Sequence, residues 1–504
     1  MRRKASMSAR GDWRTGLPPE AGDQGDLPPV NAVRLDSREV RPGDLFVCIP
    51  GQRFDGHDFA AAAGAAGAAA LVVEQGREGV AEALGVPAAA VPDSRRALSS
   101  IAAAHEGNPS ERLTVVGVTG TNGKTTTSLL IHAALEAAGE EVGLINTVET
   151  RIGLRQSLND SRMSTPEAIE IQRLLGEMVD AGCEYAVVEA TSHGLALDRL
   201  ADVAFDVGVL TQLGEDHLDF HGSVEAYRAA KLRLFERLSR GAVLNADDPE
   251  YARFAEASSA PVLSYALEAA SADLTARRID NVGDGSTFEL VTPEVSLHAQ
   301  VRLPGRFNVA NALAAFGAVV ALDLDPYMAS VGISQTPGVP GRLQRVLTTP
   351  IGVVVDYAHT GDALANVLEL LRGLTDGRLI AVFGAAGERP RARRTGMAEA
   401  AARQADYAVL TEEDSRSEPT DEIIDEIARA MTAEGAAEGR RFERVPDRAD
   451  AIARAIALAE QGDVVLIAGK GHEPTIERAD GSHPWDDAEA AREALRERFA
   501  EPDD

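Results

Sequence analysis

Short apolar, β-branched runs recur along the chain, and stretches of helical period separate them. "AALVVE" (69–74), "LTVVGV" (113–118), "EYAVVE" (184–189), "FDVGVLTQL" (205–213) and "AVLNAD" (242–247) read as strands. After a turn-rich segment, "TPGVPGR" (336–342), the pattern restarts with "GVVVDYAH", "LIAVFGAAG", "YAVLTEED" and "DVVLIAGKGHE". Strands that alternate with helices predict an α/β fold of parallel sheets covered on both faces. Three domains are expected after a disordered lead-in at 1–30. These are a small N-terminal α/β domain (31–111), a central P-loop ATPase-like parallel-sheet domain (112–337) and a C-terminal Rossmann-like α/β domain (338–504). Several strands run at their C-terminal ends into polar residues, which is where open α/β sheets bind ligands.

One helical stretch breaks its own pattern. In "HGSVEAYRAAKLRLFERL" (221–238), Val224, Tyr227, Leu234, Phe235 and Leu238 fall on one apolar stripe, and Lys231 sits in its middle. Only Lys4, Lys124, Lys231 and Lys470 are lysines among 50 basic residues. A buried ammonium must be paired, neutralised or chemically altered. Lys231 can take up carbon dioxide to give a carbamate, a Mg²⁺-binding anion that arginine cannot form. The competing reading is a lysine that snorkels to solvent.

Composition removes some classes. The net charge of −29 argues against a nucleic-acid or anionic-membrane surface. It fits a salt-rich habitat or a coding bias towards Arg and Ala equally well. Cys48 and Cys183 lie beside apolar runs and read as core residues, so neither a disulfide framework nor a thiolate metal site is expected. The N-terminus lacks an apolar signal core, and no run is long enough to span a membrane. The cytoplasm is the default location, and a monomer is expected.

The strongest motif is "GVTGTNGKTTT" (117–127), which joins a strand to a helix. Backbone N–H groups of Gly120, Thr121, Asn122 and Gly123 can surround phosphates there. Lys124 would reach the terminal phosphates, and Thr125 could hold Mg²⁺. Val118 stands where the strict pattern has its first glycine. Glu189, at the end of "EYAVVE", suits a second metal ligand, and His217 in "EDHLDFHG" suits another beside Asp216 and Asp219. Singly, each of these reads equally as a solvated strand-end acid or a structural histidine.

In this order, "GTNGKTT", "DHLDFHG", "NADDP", "PGRFNVANALAA", "PGRLQRV", "VDYAHTGDAL" and "AGKGHE" resemble the Mur ligase family, closest to its tripeptide-synthetase (MurE) type. The likeness runs from about residue 33 to 475. It implies an ATP-dependent ligase of peptidoglycan synthesis that adds an amino acid to UDP-N-acetylmuramoyl-L-alanyl-D-glutamate through an acyl phosphate. The amino acid is expected to be meso-diaminopimelate, because the planar fork of Arg416 suits a second carboxylate; the competing reading pairs Arg416 with Glu413, Asp414 or Glu418. It implies ATP bound by Gly120–Thr126, Asn311, Arg342, Asp356 and His359. Mg²⁺ would sit on Thr125, Glu189, His217 and carbamylated Lys231. The UDP-linked substrate would contact Ser37, Gln52, Arg53, Phe54, Ser164, Thr165, Thr191 and Arg199. Arg394, Glu413, Asp414, Ser415, Arg416, Gly469 and Glu473 would bind the amino acid.

Three departures bear on specificity. "EDSR" (413–416) stands for the family's D-N-P-R signature, Gly361 replaces a proline, and Leu197 replaces a polar substrate contact. Two rival functions are another ligase of the superfamily (lysine- or ornithine-adding, or folylpolyglutamate- or cyanophycin-forming) and a catalytically silent nucleotide-binding scaffold.

Overall fold

The computed structural model describes residues 11–21, 27–51, 54–159, 163–282, 285–293 and 296–499. The chain divides into two compact units, residues 1–302 with 306–336, and residues 337–504 with 303–305. The break after residue 336 falls inside the turn-rich segment singled out in the sequence.

The first unit carries two sheets. A four-stranded parallel sheet takes Val33–Arg34, Leu45–Val47, Ala70–Glu74 and Ala88–Val91 in that order. Its core includes Val47, Val72, Val91, Leu98 and Ile101. The second sheet is larger. Its parallel centre runs Val262–Ala266, Gly241–Asn245, Val207–Leu210, Thr114–Thr119, Tyr185–Glu189 and Val142–Ile145. Leu274–Val282 adds in parallel beside Val262–Ala266. Thr114–Thr119 is buried almost throughout, as a strand covered on both faces must be. Antiparallel strands extend both edges, Gly285–Val291 with Ser296–Val301 at one and Glu149–Ile152 with Arg155–Leu158 at the other. The sequence pattern did not reveal these extensions.

Residues 11–21 correct the expectation of a lead-in that is disordered throughout. Asp12 caps a 3₁₀ turn at Trp13–Gly16. Trp13 is buried in the core of the four-stranded sheet, and its indole donates to Pro28 O at 3.0 Å. Both cysteines are buried and free, and burial pushes the Cys48 thiol up to about 12.

The second unit carries a two-stranded hairpin, Thr475–Arg478 with Gly481–Pro484, and a six-stranded sheet ordered Gln344–Leu347, Gly352–Asp356, Val464–Ala468, Leu379–Phe383, Tyr407–Leu410 and Phe442–Arg444. All neighbours in the six-stranded sheet are parallel except the first pair. Gly361 opens the helix Gly361–Arg372 under a Thr360 cap. A Cβ at Gly361 would lie 2.7 Å from the Gly396 carbonyl carbon, in the helix Arg391–Gln404. Two glycines thus let these helices touch, which accounts for the missing proline. No described helix is long and apolar enough to cross a membrane.

Trp13→Ala should lower stability by about 3–5 kcal/mol, the usual range for emptying a buried tryptophan site. Equilibrium denaturation checks this, and an unchanged midpoint would mean that the N-terminal turn does not contribute to the fold.

Candidate functional site

In the first unit, the strand Thr114–Thr119 delivers the chain into a tight loop before the helix Lys124–Ala137. Gly120 has φ +147°, and a Cβ there would lie 1.9 Å from Thr211 Oγ1. Only glycine fits. Gly123 has φ +86°, and its Cβ would lie 2.3 Å from Asn311 Oδ1, so Asn311 abuts the loop. The loop's carbonyls are taken by side chains. Lys231 Nζ donates to Gly120 O at 2.6 Å, Lys124 Nζ to Thr121 O at 2.9 Å, and Thr211 Oγ1 to Asn122 O at 2.6 Å. The Thr121 N–H is itself committed to Gln212 O at 2.6 Å, a correction to the expectation that it faces a phosphate. The Thr121 hydroxyl pairs with Tyr227 OH at 2.7 Å and accepts from Gly214 N.

The first helical turn brings Thr125 to Glu189. Thr125 Oγ1 donates to Glu189 Oε2 at 3.0 Å, and Thr147 N donates to the same oxygen at 3.1 Å. Both side chains are buried, with Thr126 beside them in the turn. Lys231 lies on the helix Val224–Leu232, capped by Ser223, whose hydroxyl accepts from Ala226 N. It is 1% exposed, with its ammonium 4.7 Å from the Tyr227 ring centroid. Burial, and then the charge of Lys124, hold its pKa well below the lysine range. Among the described residues it forms no ion pair. His217 sits at φ +54° at the start of the turn Leu218–His221. Its Nε2 is 3.3 Å from Asp216 Oδ2, and its ring meets His193 edge-on at 4.6 Å. Burial brings the His193 imidazole down to about 4. No three His, Cys, Asp or Glu side chains form a ready metal cage among the described residues. Hard oxygens at the foot of a phosphate-type loop do suit Mg²⁺, which keeps waters and substrate oxygens in its shell.

A second group lies on the same edge. Thr165 Oγ1 donates to Glu189 O at 2.7 Å and accepts from Thr191 N at 3.0 Å and Thr191 Oγ1 at 2.9 Å. Arg199 Nη1 donates to Thr165 O at 3.0 Å, and its Nη2 pairs with Glu167 at 2.6 Å. Thr165, Thr191 and Arg199 are therefore one hydrogen-bonded set, with half-buried Ser164 next to it. Ser37 is half-buried after the first strand, and Phe54 is exposed with its ring 6.2 Å from Phe59. Gln52 and Arg53 lie outside the described residues.

In the second unit, Asp356 ends a strand and accepts from Leu343 N at 2.7 Å and Ala358 N at 2.8 Å. Burial raises its pKa against the pull of Arg342. The Arg342 guanidinium lies 4.5 Å from the Tyr357 ring centroid, and His359 Nδ1 is 2.8 Å from Tyr357 O.

The ends of two strands, Tyr407–Leu410 and Val464–Ala468, which flank Leu379–Phe383 in the sheet, carry the acidic group. Lys470 Nζ donates to Asp414 Oδ1 at 2.7 Å and also pairs with Glu473 Oε2. Burial opposes its charge, yet Glu473 and Asp414 hold the ammonium above the usual lysine range. Glu413 is 7% exposed, and its Oε2 has no hydrogen-bond partner. A Cβ on Gly469, at φ +114°, would meet that oxygen at 2.9 Å. Burial pushes the Glu413 carboxyl up to about 7 against the pull of Lys470. Arg416 has φ +54° and donates from Nη1 to Gly387 O at 3.3 Å. Among the described residues it forms no ion pair, so the competing pairing with Glu413, Asp414 or Glu418 is not seen. Arg394 is committed elsewhere, to Glu418 and Glu426 at 2.8 Å each. Ser415 is buried, and its carbonyl accepts from Glu418 N.

Sequence reasoning missed several supports. Thr211 and Tyr227 brace the phosphate-type loop, Tyr357 joins two residue groups, and Arg448 ties two strand ends. Tyr227 could have been found, because it shares the Lys231 stripe. Arg448 carries no local signal.

Three family models match the chain: the Mur ligase family catalytic domain over residues 29–106, the Mur ligase middle domain over 118–319, and the Mur ligase glutamate ligase domain over 341–471. The chain is 46% identical to the UDP-N-acetylmuramyl-tripeptide synthetase of Roseiflexus sp. (strain RS-1), covering 94% of this chain and 96% of that protein. It is 40% identical to the UDP-N-acetylmuramoyl-L-alanyl-D-glutamate--2,6-diaminopimelate ligase of Geobacillus thermodenitrificans (strain NG80-2), with the same coverage. A solved structure of a UDP-N-acetylmuramoyl-L-alanyl-D-glutamate--2,6-diaminopimelate ligase matches with a TM-score of 0.68 at 31% identity, covering 98% of this chain and 100% of that one.

The Glu413 carboxyl gives a pH test. Its folded pKa of about 7 lies above the ordinary value of 4.5, so the folded chain binds the extra proton between those limits. Its contribution to stability is therefore full below pH 4.5 and is lost as pH rises to about 7. Glu413→Gln should match wild type in acid and be more stable by about 3 kcal/mol above pH 7. Thermal unfolding across pH checks this, and parallel curves for the two proteins would refute the buried-acid assignment.

Proposed function

The chain belongs to the Mur ligase family, and on that premise we propose that it joins meso-diaminopimelate to UDP-N-acetylmuramoyl-L-alanyl-D-glutamate. It is an ATP-dependent acid–amino-acid ligase of peptidoglycan synthesis. In the proposed reaction the acceptor's terminal carboxylate attacks the γ-phosphorus of ATP, giving an acyl phosphate and ADP. The amino acid's amine then attacks the acyl carbon, releasing phosphate and leaving an amide. The reading places this chemistry in the cytoplasm, with the single chain as the working form.

Lys124 and the loop's N–H groups other than that of Thr121 would hold phosphate oxygens and stabilise the charge that grows on the transferred group. Mg²⁺ would add further charge neutralisation there, held by Thr125, Glu189, His217 and the Lys231 carbamate. Thr165, Thr191 and Arg199 would receive the muramoyl-peptide end of the acceptor. Ser37 and the loop to Phe54 would receive its uridine end. Asn311, Arg342, Asp356 and His359 would attend the nucleoside.

The observation that carries the choice of amino acid is Arg416, a guanidinium without a carboxylate partner among the described residues. It stands on the loop that holds Glu413 and Asp414. A planar fork of donors suits a second carboxylate bound bidentately. Diaminopimelate has one, whereas lysine and ornithine end in a bare ammonium. The acidic neighbours Glu413 and Glu473 suit its distal amine, and Arg394 orders the loop through Glu418.

The Lys231 carbamate is supported by a buried ammonium whose single described polar partner is one carbonyl. Its depressed pKa also favours the free amine that reacts with carbon dioxide.

Ligation of the UDP-linked dipeptide with diaminopimelate, lysine and ornithine in parallel tests the reading. Diaminopimelate should be the preferred substrate. Arg416→Ala should weaken its use by about a hundredfold, as expected for a charge-assisted pair worth about 2–5 kcal/mol, and leave ATP affinity unchanged. Preference for lysine or ornithine would end the diaminopimelate assignment and leave the ligase intact.

Lys231→Arg should lose activity by about a hundredfold or more. Lys231→Ala should regain part of its turnover with a short carboxylic acid. Full activity of the arginine variant would exclude a functional carbamate.

A further inference from the structure

Within the second unit, one side chain belongs to both functional groups of residues. Tyr357 OH donates to Glu473 Oε1 at 3.1 Å. The face of its ring carries the Arg342 guanidinium at 4.5 Å. His359 and His472 pack on the ring at 4.6 and 5.1 Å between centroids. The Tyr357 N–H is fixed to Gly341 O at 2.7 Å, one residue before Arg342. Gly471 presses so close that a Cβ on it would meet Tyr357 Cβ at 2.8 Å. The tyrosine is therefore held by the Gly341–Arg342 turn on one side and by the Gly471–Glu473 turn on the other.

We propose that Tyr357 is a positioning residue that couples nucleotide binding to amino-acid binding. It fixes Glu473 for the incoming amino acid and Arg342 for the nucleoside on one rigid ring. This rests on the ligase reading above.

The chemistry of the two contacts differs, which makes them separable. Glu473 has two oxygens: Oε2 is taken by Lys470 and Oε1 by the phenol. Without the phenol, Oε1 loses its donor and the carboxylate is free to turn towards Lys470. The amino acid would then meet a misplaced acceptor. Arg342 needs only the ring face, which phenylalanine also supplies. Removing the hydroxyl should thus disturb the amino-acid side alone, whereas removing the ring should disturb both. Because coupling is reciprocal, bound nucleotide should tighten amino-acid binding by the same factor that bound amino acid tightens nucleotide binding.

The test is steady-state kinetics on the full chain, with the UDP-linked dipeptide, ATP and diaminopimelate. Tyr357→Phe should raise the KM for the amino acid about tenfold, the usual effect of losing a hydrogen bond to a charged group, while kcat and the KM for ATP hold. Tyr357→Leu should raise both KM values. In a Glu473→Gln background, Tyr357→Phe should add no further penalty, since the contact it removes is already altered. A merely structural tyrosine would not give that split or that lack of additivity. An unchanged amino-acid KM in Tyr357→Phe would overturn the proposal, as would an equal penalty in the Glu473→Gln background. Wild type that turns over none of the amino acids would instead sink the ligase reading, and the coupling with it.

Discussion

Lys231 carries its ammonium to the carbonyl of Gly120, and the phosphate-type loop of the first unit is built around that contact. The loop must turn its carbonyls inward if any amide protons are to face a ligand. Inward carbonyls in a buried setting need donors. Lys231, Lys124 and Thr211 each supply one to consecutive residues, Gly120, Thr121 and Asn122. Gly120 can lie flat against Thr211 only because it lacks a Cβ. Tyr227, one turn before Lys231 on the same helix, fixes the Thr121 hydroxyl. A single helix thus supplies both the donor beneath the loop and its lateral brace. That explains how a lysine comes to occupy an apolar stripe.

The second unit solves a parallel problem with an arginine. Arg448 is fully buried, bidentate to Asp487, and donates to Glu412 O and Ala468 O. Those carbonyls lie at the ends of two strands, just before Glu413 and Gly469. Asp487 is held in turn by the Trp485 indole. A planar guanidinium can make all these bonds at once, which a compact ammonium cannot. Breaking such a buried pair on one side costs about 3–5 kcal/mol. The loops that carry Glu413–Arg416 and Gly469–Glu473 therefore share one fixed foundation.

The chain's strand–helix alternation was legible because parallel strands are buried on both faces and read as continuous apolar runs. The same logic explains what was not legible. Arg155–Leu158 is exposed at every position, so its hairpin has no apolar face to announce it. Trp13 is a lone aromatic among glycine, proline and charge, and nothing local says that it is buried. "TEED" reads as a solvated acidic run, yet Glu412, Glu413 and Asp414 are all buried. Only tertiary placement against Arg448, Arg478 and Lys470 makes that tolerable. The phosphate-type loop was legible down to single residues, because its glycines and lysine are dictated by local geometry. The Glu418 and Glu426 partners that occupy Arg394 were not, because both come from another helix or its approach.

The two buried lysines show how one residue type serves opposite ends. Lys470 lies between Asp414 and Glu473, which hold its ammonium charged. It neutralises part of an acidic pocket and leaves Glu413 as the carboxylate without a hydrogen bond at Oε2. Lys231 has a carbonyl and an aromatic face but no carboxylate partner among the described residues, and burial holds its pKa well below the lysine range. Neither position can be written as arginine. At residue 470 the gap between two carboxylates fits a compact cation with three donors rather than a broad fork. At residue 231 burial disfavours the charged form, and an amine can give up its charge there, which a guanidinium cannot do in a protein. In a chain that writes nearly every other cation as arginine, these lysines stand at buried positions that suit a compact amine.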